Sequence, residues 1–255
     1  MTSQFVLRKA YIDAIDPQGG WWIGYDTALK WGALHVNYRE ISAPAVRIAK
    51  TTFRPRDVTI GAAELSSKGR LRLQGGSVAA AEISLQTPVL EWRLTHRGAD
   101  VIVTTSEGPQ RIPSAGYGEV VTLHRLPWDL GLRELSWGRY MSDRHFVVWI
   151  VGTGEHAIAF GVVGNKTSKS ASVEARRIRI ADTSLSLDRV VSTISQGDAI
   201  RDRAWPARTL VGCLASGFSV MQHKAVYAST LHLPDGAEEK GLAIAEHVSF
   251  SRGKC

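Results

Sequence analysis

Along this chain hydrophobic and polar positions alternate by twos, in short runs rich in Val, Ile, Thr and aromatic residues that Gly, Pro, Asp and Asn interrupt. The alternation predicts strands over residues 5–15, 20–29, 33–41, 46–53, 57–61, 70–75 and 78–96. A turn-rich interval, TTSEGPQRIPSAGYG, comes next. Beyond it strands are expected over residues 119–126, 132–142, 145–151, 156–163, 172–181, 208–221, 225–233 and 242–250. Residues 184–194 read as a short helix, although their β-branched side chains favour it little. Many short strands with dense turn signals predict an all-β fold with little helix, a barrel or sandwich in preference to a βαβ array.

The same pattern suggests two halves. Gly, Pro and Ser gather around residues 110–115, which places a boundary between residues 1–114 and 115–255, each half the length of a small barrel. GWWIGYDTAL in the first half and FVVWIVGTGEHAIAFG in the second both set a tryptophan on a strand before a glycine break. That is compatible with duplication and does not establish it.

Three strands carry charge on an otherwise apolar face. Glu119 shares a face with Val121 and Leu123, and Arg139 shares one with Leu135, Trp137 and Met141. Glu246 stands between Leu242, Ile244, Val248 and Phe250, with Ala243, Ala245, His247 and Ser249 opposite. An unpaired buried ion costs several kcal/mol, so Glu119 and Arg139 either neutralise each other or meet a ligand in a partly wet cavity. Glu246 has two readings of equal weight: a desolvated carboxyl able to act as a neutral acid, or a structural ion pair with an arginine such as Arg139.

GYGE (116–119), PWDLGLRELSWGRY (127–140), VVWI (147–150) and GLAIAEHVSF (241–250) resemble segments of the two-barrel lipocalin-like family that includes carotenoid hydratases, AttH-type proteins and decalin-forming polyketide cyclases. The resemblance implies two antiparallel calycin-type barrels in one chain, with an apolar ligand bound within or between them. In the hydratases a Gly-Tyr-x-Asp segment opens the second half, and Glu119 takes the matching acidic place. Val120, Val121 and Thr122 stand where the hydratase and cyclase versions continue with an Asn/His-rich run and Trp-Gly, so the reaction does not carry across.

Composition narrows the classes further. The 255 residues are 44% hydrophobic and carry a net charge of +7, yet no basic cluster is longer than a pair such as Arg176-Arg177. Nucleic-acid binding is therefore disfavoured. Cys213 and Cys255 suit two reduced thiols, not a disulfide framework. The N-terminal residues lack the apolar centre of a signal peptide, and no apolar run reaches membrane-spanning length, so a cytoplasmic protein is expected. The histidines form no HExxH motif and no GxSxG elbow is present, which disfavours metal catalysis and a hydrolase triad.

These readings converge on a cofactor-free enzyme acting on an apolar polyene, isoprenoid or polyketide by cyclisation, isomerisation or hydration in a barrel cavity. Glu119 or Glu246 would be the acid/base, and Arg139 would orient or polarise a substrate oxygen. Trp137, Tyr25, Trp31, Trp22 and Tyr227 are candidate cavity walls, with plain core packing as the alternative for each. A carrier of a lipid-like molecule is the second reading and a ligand-free interaction protein the third. A homodimer is compatible with the sequence.

Overall fold

The computed structural model describes residues 5–44, 46–65, 69–75, 83–125, 129–198 and 218–252. Among them the regular structure is β-sheet, in two units, Met1–Pro127 and Trp128–Cys255. The first holds β1 (Phe5–Ile15), β2 (Trp21–Trp31), β3 (Leu34–Ala43), β4 (Val46–Thr52), β5 (Ala62–Leu65), β6 (Gly69–Gln74), β7 (Ser84–Gln86), β8 (Leu90–Thr105) and β9 (Gly108–Leu123). The second holds β10 (Leu132–Met141), β11 (Phe146–Gly154), β12 (Ile158–Val163), β13 (Lys166–Ser168), β14 (Ala171–Glu174), β15 (Arg177–Ile180), β16 (Thr183–Asp198), β17 (Phe218–His232) and β18 (Glu238–Arg252).

Each unit is an antiparallel meander whose first strand pairs with its second and its last. The order is β4-β3-β2-β1-β9-β8-β6-β5, with β7 on β8, in one unit and β13-β12-β11-β10-β18-β17-β16-β15-β14 in the other. The two ends of each path curl toward one another, so each sheet forms a nearly closed barrel. The all-β expectation holds.

Both interiors are packed with side chains. Ile12, Ala14, Leu71 and Val101 belong to the first core; Tyr140, Trp149, Ala225 and Ala243 belong to the second. Close approach is met by glycine. A Cβ on Gly138 would overlap the Trp149 ring and lie 2.5 Å from the Ile244 carbonyl oxygen, so only glycine lets Trp149 fill the barrel at this point.

Three sequence expectations change. Residues 184–194 lie in β16, not in a helix: β16 pairs with β15 and β17, and its register with β17 shifts three times. Each shift inserts a residue and interrupts the alternation by twos, which is what made the segment read as helical. The expected boundary at 114/115 falls inside β9, whose pairing with β1 and β8 keeps it in the first unit. The Gly/Pro/Ser signal there marks an irregular strand pair, with register shifts in β8 opposite and no room for a Cβ on Gly116 beside the Ala99 backbone. Residues 57–61, expected as a strand, belong to the connection from β4 to β5, and most of the strand expected over 208–221 lies outside the described residues.

Candidate functional site

Each barrel carries a buried polar group on the sheet face that points away from its core. In the first unit, Ile12 and Ala14 of β1 enter the core, so alternation sends Tyr11 and Asp13 to the other face. Register sets Tyr11 opposite Glu119 of β9 and Tyr25 of β2. Glu119 is 4% exposed, and its Oε2 accepts hydrogen bonds from the Tyr117 hydroxyl at 2.6 Å and from the Trp92 indole Nε1. Hydrogen bonds to a charged acceptor contribute roughly 1.5–3 kcal/mol each, which offsets part of the cost of taking a carboxylate out of water. The Tyr11 ring lies 5.2 Å from Tyr25 and 6.1 Å from Tyr117, and Lys9 Nζ stands 4.4 Å from the Tyr25 ring centre.

The second unit repeats the arrangement with different chemistry. Because Trp149, Tyr140, Ala225 and Ala243 face the core, Trp137, Arg139, Lys224 and Glu246 share the other face. Trp137 is opposite Glu246 in register, and Glu246 is opposite Lys224. Lys224 is 1% exposed; its Nζ lies 3.1 Å from Glu246 Oε2 and 4.8 Å from the Trp137 ring centre. Gln222 Nε2 donates to Glu246 Oε1 at 2.8 Å. Around this group Ile244, Val226, Ile150 and Val248 are buried and apolar. An ammonium held between a carboxylate and an indole face, in apolar surroundings, can direct a strong hydrogen bond at an oxygen on which negative charge develops.

The sequence-predicted residues divide between these places. Trp137, Arg139 and Glu246 come together on one face of the second barrel, and Glu119 and Tyr25 on one face of the first, with Trp31 farther along the Tyr25 side of β2. Trp22 packs against the first core and Tyr227 lies within the second, so neither shares a face with a candidate carboxylate. In the second barrel the Ala243/Ala245 side of β18 faces the core, and Glu246 lies on the opposite face of the strand. The stretch 116–150 that joins Glu119 to Arg139 in sequence also divides between the two units.

Sequence reasoning missed Lys224, Trp92 and Tyr117. Lys224 had a signal, since it falls in phase with Val226 on a strand, but its partner Glu246 is specified only by the β17–β18 register. Among the described residues no group of three or more His, Cys, Asp or Glu could hold a metal ion, and no helix is long and apolar enough to cross a membrane. His96 has its pKa lowered by burial, and the Tyr140 hydroxyl is pushed up to about 12 by burial with the Glu239 charge adding to it.

No protein-family model matches the sequence, and no curated protein matches it significantly. Solved structures do match in three dimensions. CghA with Sch210972 aligns with a TM-score of 0.61 at 11% identity, over 98% of this chain and 90% of that one, and CghA alone gives the same values. A putative AttH from Nitrosomonas europaea aligns at 0.49 and 10% identity, covering 95% of this chain and 92% of that one. Kievitone hydratase from Nectria haematococca aligns at 0.48 and 8% identity, covering 96% and 89%. At such identities the CghA likeness speaks for the fold alone, two antiparallel barrels in one chain.

Proposed function

We propose that this protein is a cofactor-independent enzyme that cyclises, isomerises or hydrates an apolar polyene, isoprenoid or polyketide. The observation that carries the reading is the Lys224–Glu246 ion pair, buried beside Trp137 on an apolar sheet face. Ionic groups in such surroundings are costly to keep, which supports a use beyond stability. In the proposed reaction Lys224 donates a hydrogen bond to a substrate carbonyl oxygen and stabilises charge that builds there. Glu246 holds the ammonium and can accept a proton, while the Trp137 ring supports a polyene or a developing cation. Arg139 has the complementary role of orienting a substrate oxygen. Glu119, with Tyr117 and Trp92 as its donors, is the second acid/base candidate. CghA, a chain of this fold, has been captured with Sch210972, which supports ligand binding as a use of the architecture.

The test is turnover by the parent, Lys224→Met, Glu246→Gln and Glu119→Gln, with substrates drawn from ligands that survive native purification and are identified by mass spectrometry. Loss of turnover with retained binding in Lys224→Met supports the mechanism. Parent rates in all three variants would refute it and make the protein a carrier.

A further inference from the structure

The second barrel carries a serine, a histidine and a glutamate in hydrogen-bond sequence where β16, β17 and β18 meet. Leu185 and Leu187 of β16 and Leu231 of β17 enter the core, so alternation sends Ser186 and His232 to the outward face. The β17–β18 register sets Glu238 opposite His232, and Ser184 opposite His232 makes Ser186 its diagonal neighbour across β16. His232 Nδ1 lies 3.0 Å from Glu238 Oε1, and its Nε2 lies 3.2 Å from the Ser186 hydroxyl oxygen. The hairpin holds the pair in place, since Leu233 N–H donates to the Ala237 carbonyl at 2.8 Å and Gly236 turns the chain at a φ of 84°.

The order of atoms gives each residue a role. A carboxylate only accepts, so Nδ1 carries the ring proton, and the neutral imidazole then presents Nε2 as the acceptor for the Ser186 O–H. Thr230, opposite Ser186 in register, donates its hydroxyl to Asp188 at 2.7 Å and does not compete for His232. On the other side Arg177 of β15 is opposite Ser186, and register partners share a face with their Cβ atoms about 4.5–5.5 Å apart. The His232 side chain is 35% exposed, so an ester reaches the group from bulk water.

We infer that Ser186, His232 and Glu238 form a second active site that hydrolyses carboxylic esters through an acyl-serine. Ser186 Oγ bonds to the carbonyl carbon as His232 Nε2 takes its proton, and Arg177 stabilises the charge that develops on the carbonyl oxygen. The ester bond then breaks, and the departing alcohol or phenol oxygen takes the proton from His232. Water attacks the acyl-serine with His232 again as base, which releases the acid and restores Ser186. Glu238 is a positioning residue that fixes the tautomer of His232. The three come from different strands, so no local motif signals them. His232 is eight residues beyond Lys224 in β17, on the order of 25 Å along the strand, and the activity does not depend on the reaction proposed there.

The test is reaction of the full chain with p-nitrophenyl acetate, followed by p-nitrophenolate release and by peptide mass spectrometry of the acetylated chain. Release beyond one equivalent per chain is expected, with acetyl on Ser186. Ser186→Ala and His232→Gln should each slow release at least about tenfold, and Arg177→Gln about tenfold. Glu238→Ala should slow it about tenfold while Glu238→Asp recovers most of the loss, a rescue that a merely structural role would not give. Release that stops at one equivalent, acetyl on lysines and none on Ser186, or any of the slowed variants reacting at the parent rate would overturn the inference. Mapping the acetyl group on the parent chain keeps the test decisive if a variant unfolds.

Discussion

Replacing Lys224 by methionine is the sharpest probe of the second barrel's polar face. At 3.1 Å and an effective dielectric constant of about 20, the attraction between Lys224 and Glu246 is about 5 kcal/mol before the cost of desolvation. Methionine keeps much of the side chain's volume and removes the charge. Glu246, whose side chain is 15% exposed, would then keep Gln222 as a donor but lose the Lys224 ammonium. Breaking a buried pair costs about 3–5 kcal/mol, and the partial exposure and the Gln222 bond put this case near the lower end, about 3 kcal/mol. The double variant Lys224→Met/Glu246→Leu removes both charges and should return to within about 1 kcal/mol of the parent, because a well-packed apolar pair is often as stable as an ionic one. Urea unfolding followed by tryptophan fluorescence and circular dichroism, with coincident transitions required, measures the cycle. A single variant within about 0.5 kcal/mol of the parent, or a double variant whose cost is the sum of the singles, would refute the reasoning.

Gly138→Ala should destabilise the second barrel by about 3 kcal/mol in the same unfolding assay, because the added methyl enters the space of the Trp149 ring; a neutral outcome would mean the core there can shift. The Glu239 carboxyl is pushed up by burial, but hydrogen bonds from the Ser142 hydroxyl, the His145 ring and the Arg144 backbone N–H outweigh this and hold it below its ordinary value of 4.5. A depressed carboxyl adds stability above its unfolded value and loses it as pH falls through the folded one. Thermal unfolding from pH 7 to pH 3 should therefore show Glu239→Gln less stable at neutral pH and less sensitive to acid below about 4.5, and parallel curves would refute the assignment.

The alternation by twos determined a good deal unaided. β1 falls over residues 5–15 as read, and Trp137 shares a face with Arg139, because the period of a strand is a local property of the backbone. Parity cannot say which face turns inward. In β18 the chain offered an Ala243/Ala245 face and an Ile244/Glu246 face, and the larger apolar side chains suggested the second as the interior. The barrel took the first, since Tyr140, Trp149 and Tyr227 occupy the space and leave room only for small neighbours. Local signals failed too where the sheet is irregular: the shifts in β16 imitated a helix, and the close approach at Gly116 imitated a linker. The partners of the candidate carboxylates were likewise beyond local reading. Glu246 meets Lys224, and Glu119 meets Trp92, only through pairing between strands, and that pairing is selected by how the whole sheet closes around its core.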